Sequence, residues 1–159
     1  MIIQSIVSRA QRAIQVLESA QPLAQLAARI YVAQAFFLSG LTKLRNWDST
    51  LALFQDEYQV PLLPPAVAAV AGTTGELVLP VLLALGLAGR FAAAGLSVVN
   101  VVAVLSLAEI AAPALQQHVF WGSLLVGLLL WGPGRWSLDH WLLPRLQATP
   151  GTAGYTRAA

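Results

Sequence analysis

Four stretches of this chain run for roughly the thickness of a bilayer with little charge, at about residues 23–44, 66–88, 91–110 and 117–131. A helix rises about 1.5 Å per residue and needs roughly 20 apolar residues to cross a hydrocarbon core. The first stretch would rise about 33 Å on that geometry. The last is short, and needs residues of the preceding link as an extra turn, or a locally thin bilayer. The expected fold is all-α: a polytopic membrane protein whose four transmembrane helices form a bundle.

Composition points the same way. Hydrophobic residues make up 57% of the chain and charged ones 10%, against roughly 25% charge in soluble domains. Water would leave too few polar groups to cover the surface, so hydrocarbon is the expected solvent. Nine Lys+Arg against seven Asp+Glu give a net charge of +2, too mild for nucleic acid, and no basic cluster with interleaved aromatics occurs. There is no cysteine, which excludes disulfides, thiol relays, thiolate-bound iron–sulfur clusters and zinc–thiolate sites. His118 and His140 are expected on opposite sides of the membrane, so neither a bis-histidine haem nor a metal cage has a ligand set. No phosphate loop, nucleophile elbow or zinc-protease motif is present. No catalytic residue is assigned, and an enzyme acting alone is the weaker expectation.

The segments flanking the spans carry their own patterns. Ile3, Ile6, Val7, Ala10, Ile14 and Leu17 fall at helical spacing, so residues 1–22 are expected to form an amphipathic segment on the membrane surface rather than a signal peptide. Trp47, Leu51, Phe54 and Tyr58 mark one face of a short helix over about 48–58, lying in the outer interface and capped by Asp48 or Ser49. Ser137 is expected to cap a third interfacial helix, Leu138–Leu146. The transmembrane unit thus covers 23–146, and residues 147–159 form a flexible tail. Arg9, Arg12, Arg90, Arg135 and Arg145 gather on one side, so the positive-inside rule puts both termini in the cytoplasm.

Polar groups inside the spans are costly, about 2.5–3.5 kcal/mol for a charge at the helix centre, and face protein or water. Gln34, Glu76 and Asn100 share a depth near the midplane. Glu76 is the least tolerable in lipid. Pro80 removes the donor for its carbonyl, and Gly72 and Gly75 allow a neighbour to approach. On the first span Arg29 and Lys43 lie within about 40° of one stripe, with Gln34 about 140° away from Arg29. Lys43 either snorkels, pairs with an acid such as Glu109, or reaches the pocket. Arg29 either meets headgroups or joins the site. The candidate ligand-binding set is therefore Glu76, Asn100, Lys43, Gln34 and Arg29. His118, near Glu109 at the outer interface, is expected to be a surface group.

The chain also resembles the DoxX family of small bacterial membrane proteins over about residues 27–143. The resemblance rests on Arg29 with Phe37-Leu38-Ser39-Gly40-Leu41-Thr42-Lys43-Leu44, on Glu76 and Gly86, on Gly89-Arg90, and on Gly132-Pro133-Gly134-Arg135-Trp136-Ser137-Leu138-Asp139. It implies a four-helix fold in the bacterial inner membrane, in contact with lipids and with a protein partner or further copies of itself. It also implies a membrane subunit of a redox or oxidative-stress complex, with a quinone or lipid-like molecule as the expected ligand. Two rivals stand beside it: a small proton-coupled transporter or permeation protein using Glu76, and a scaffold whose polar layer only fixes helix register.

Overall fold

A computed structural model describes residues 2–147 as six helices with no other regular structure among them. These are α1 (Ile2–Arg45), α2 (Trp47–Asp56), α3 (Pro65–Leu85), α4 (Gly89–Leu105), α5 (Ala112–Trp131) and α6 (Leu138–Gln147). Most of the tail expected to be flexible lies outside the described residues. α1 packs along α3, α3 along α4 and α4 along α5, and α5 also meets α1. The core is a column of Val32, Phe36, Leu83, Ala92, Ala93, Leu96, Leu125 and Leu128. Lipid tails are as apolar as leucine, so close packing rather than exclusion from water holds helices together in a bilayer. Small residues serve that end here. A Cβ on Gly40 would come within 2.9 Å of Leu77 Cγ, and one on Gly95 within 2.8 Å of Leu79 Cδ1.

Several expected boundaries are corrected. Residues 1–22 do not form a separate helix: α1 passes unbroken through Pro22. One missing donor costs a single backbone hydrogen bond, and here Pro22 is buried beside the Pro133–Gly134 loop. At 44 residues α1 would be about 66 Å long, and every side chain from Ile6 to Gln21 is exposed. Only its second half joins the bundle. α3 likewise runs on through Gly72–Glu76 and Pro80, then stops where Gly86 turns left-handed at φ 66°, which glycine adopts without strain.

The third apolar helix ends at Leu105 rather than near Ile110. Ser106 folds its hydroxyl onto the Val102 carbonyl at 2.6 Å. Its own carbonyl accepts the Gln59 N–H at 2.8 Å, which commits that oxygen outside the helix. The fourth helix starts at Ala112, five residues earlier than 117. Pro113 near its N-terminus has the φ a first turn needs and lacks only a donor that would go unused there.

α3 and α5 are long and apolar enough to cross a membrane; α4, at 17 residues, is shorter. Only 33% of the apolar window in α3 and 11% of that in α5 is buried, whereas the core helix of a soluble protein would be mostly covered. Val78, Val81 and Leu85 of α3 and Val119, Val126 and Leu130 of α5 face outward. An apolar surface of this kind is what lipid solvates and water does not.

Candidate functional site

The polar residues fall into two groups at opposite ends of the packed helices. At one end Arg29, completely buried, directs its guanidinium at the last turn of α3 and at the segment before α6. Nη1 donates to the Ala84 carbonyl at 3.4 Å and Nη2 to that of Trp136. A cation is well placed at a helix C-terminus, where carbonyls lack intrahelical donors. The reverse pairing holds next door. The Asp139 carboxylate accepts the Ala88 and Gly89 N–H groups, each at 2.8 Å, at the start of α4. Arg90 donates to the Leu130 carbonyl near the end of α5 at 3.3 Å. Ser137 accepts the His140 N–H at 3.3 Å, capping α6 as its sequence suggested. Gly86 must be glycine here, since a Cβ would run into Arg29 and Ser137. This end is a clamp that ties helix termini together.

The other end holds a cavity of about 390 Å³, within the range of small-molecule sites. Its walls come from α1, α3, α4 and α5, and it is roofed by Phe54 and Tyr58 with Val60 and Leu63 of the following connection. The face marked by Trp47, Leu51, Phe54 and Tyr58 does not lie free in the interface. It packs on Ala68 and Ala69 at the start of α3. The α2 cap is Asn46, whose side chain accepts the Ser49 N–H at 3.4 Å, not Asp48 or Ser49. The lining is mostly apolar, and a few polar side chains converge on it.

Lys43 and Glu76 form its charged feature. Lys43 Nζ lies 2.6 Å from Glu76 Oε1 and 2.5 Å from Oε2, and 3.2 Å from Ser39 Oγ. The side chains are 20% and 8% exposed, so the pair is sheltered but reaches the cavity. Lys43 thus pairs with Glu76 rather than with Glu109, which is exposed in the α4–α5 connection. Gly40 makes the approach possible, because a Cβ there would stand 3.1 Å from Glu76 Cβ. Replacing Gly40 with alanine is expected to push α1 from α3 and cost about 1–3 kcal/mol. A lowered melting temperature in detergent would register it. The Tyr58 phenol is raised above its ordinary pKa, first by burial and then by the charges of Glu76 and Glu57. It stays protonated near neutral pH and can donate.

Of the five residues singled out from sequence, Lys43 and Glu76 line the cavity. Asn100 is buried directly behind it and bonds His118, which does line it. Gln34 is exposed, and it lies six residues, about 9 Å, short of Gly40, the α1 residue that abuts Glu76. Arg29 belongs to the clamp at the opposite end. His118 was missed. Because α5 begins at Ala112, this histidine lies well inside the helix rather than at its edge. The signal available was the Gln116-Gln117-His118 run read as the continuation of a helix begun at Pro113.

A family model for DoxX matches residues 24–109 of the chain. No curated protein and no solved structure matches it. The matched stretch takes in Arg29, Lys43, Glu76 and Asn100, hence residues of both polar groups.

Proposed function

The chain belongs to the DoxX family, and from that premise we propose that it is a four-span membrane subunit holding a quinone or lipid-like molecule beside Lys43 and Glu76. The observation that carries this reading is an apolar cavity whose one ion pair reaches its wall. A lipophile with a polar head needs that combination, an apolar slot with one or two polar groups to orient it. Lining residues Ala71 of α3 and Val98 of α4 are themselves exposed on the outer flank, which gives a ligand a way in from surrounding lipid.

The four-span arrangement is supported by packing. α3 is joined to α4 by only Gly86–Ala88, so a crossing α3 sends α4 back along it. The second half of α1 runs beside α3 over the same depth. The basic residues favour cytoplasmic termini, and the resemblance favours a bacterial inner membrane. The resemblance favours service within a redox or oxidative-stress complex.

Solvent extraction of the purified protein followed by mass spectrometry tests the ligand. Wild type should yield a stoichiometric lipophile, and the Lys43→Met/Glu76→Leu double variant should yield much less. No lipophile in either would favour a scaffold, and Glu76-dependent proton flux in vesicles would favour transport.

A further inference from the structure

Asn100 and His118 form a reciprocal pair across α4 and α5. Asn100 Nδ2 donates to the His118 backbone carbonyl at 3.0 Å, while Oδ1 lies 2.8 Å from His118 Nδ1. A carbonyl can only accept, so it fixes which way the amide faces. The oxygen is therefore the atom left for the imidazole, and an oxygen can only accept. Nδ1 must carry the proton. In the neutral ring that leaves the lone pair on Nε2.

The surroundings hold this arrangement. Gly122 leaves the α5 backbone bare where the amide reaches it, and a Cβ there would stand 3.3 Å from Asn100 Nδ2. Trp121 packs edge-on against the imidazole, with centroids 5.2 Å apart and an interplanar angle of 85°. The ring lines the cavity, and Nε2 bonds no group among the described residues. Both Glu76 oxygens, by contrast, are engaged by Lys43.

We propose that His118, held by Asn100 in its Nδ1–H form, offers Nε2 as a hydrogen-bond acceptor to the cavity, which therefore favours a lipophile whose head carries an O–H, a phenol or hydroquinone. This rests on the ligand-binding reading of the cavity. A quinone or an ether has only acceptors to present and leaves Nε2 unpaired. His118 is the binding residue and Asn100 its positioning residue.

The test begins from a His140→Gln background, which leaves His118 as the one histidine, labelled with nitrogen-15. Nuclear magnetic resonance at neutral pH should show the Nδ1–H tautomer, retained in Asn100→Asp and lost in Asn100→Leu. A long-chain alkylphenol should bind about tenfold more tightly than its methyl ether, the value of one good hydrogen bond. That preference should vanish in His118→Leu, with the ether's affinity little changed. An Nε2–H tautomer in the wild type, or equal binding of the two probes, overturns the proposal alone. Failure of both probes to bind overturns the reading of the cavity and this proposal with it.

Discussion

Replacing Lys43 by methionine is expected to cost about 3–5 kcal/mol of stability, because it strands the Glu76 carboxylate among apolar neighbours. The carboxyl is 8% exposed, and its cationic partner is Lys43. Ser39 offers a hydroxyl nearby, but a hydroxyl does not balance a charge. Removing both charges together tests the argument further. Lys43→Met/Glu76→Leu exchanges the pair for apolar groups of similar bulk and should return most of the lost stability, as buried pairs replaced whole commonly do. Unfolding midpoints of the two single variants and the double variant in one detergent form the cycle. Additive losses would show that the two side chains do not act as a pair.

Arg29→Leu carries the second large effect. The guanidinium is wholly buried and serves the carbonyls of Ala84 and Trp136. A buried acceptor left without a donor costs about 1–3 kcal/mol, so losing both predicts a penalty of about 2–6 kcal/mol. The damage should be local in its first appearance. α6 is attached through this clamp, by the Asp139 contacts to Ala88 and Gly89 and the Asp139 N–H to the Gly86 carbonyl at 2.9 Å. Trypsin should therefore cut after Arg135 faster in Arg29→Leu than in wild type. Arg29→Lys keeps the charge but not the planar fork that reaches two carbonyls at once, and should lie between the two. An unchanged digestion pattern in Arg29→Leu would remove the clamp from the account.

The resemblance motifs acquire a physical sense from these two sites. Arg29, Gly86, Gly89-Arg90 and the run from Gly132 to Asp139 are far apart in the chain yet meet where helix ends need charges and a bare backbone. Gly40, Lys43 and Glu76 meet at the cavity instead. Sequence alone made Glu76 conspicuous because lipid cannot tolerate it unpartnered, and the same argument found Asn100. For Gln34 neither depth nor direction was legible. It stands more than a turn of α1 from Gly40, which abuts Glu76, and it is exposed; about 100° per residue decides facing only once the neighbours are known. His118 was hidden by a boundary. Reading the fourth helix as starting near 117 put the histidine at an edge, whereas Pro113 starts the helix a turn earlier and carries it inside. Pro22 misled in the opposite sense, since a proline flanked by good packing need not end a helix.

Fluorescence of Trp121 gives the most direct test of ligand occupancy. The residue lines the cavity, and with Trp47, Trp131, Trp136 and Trp141 changed to phenylalanine it is the sole reporter among the chain's five tryptophans. A brominated alkylphenol should quench it saturably in lipid nanodiscs, and the Lys43→Met/Glu76→Leu variant should lose the saturable component. Quenching that rises linearly with probe, and equally in both proteins, would mean that the bromine meets Trp121 only from the surrounding bilayer.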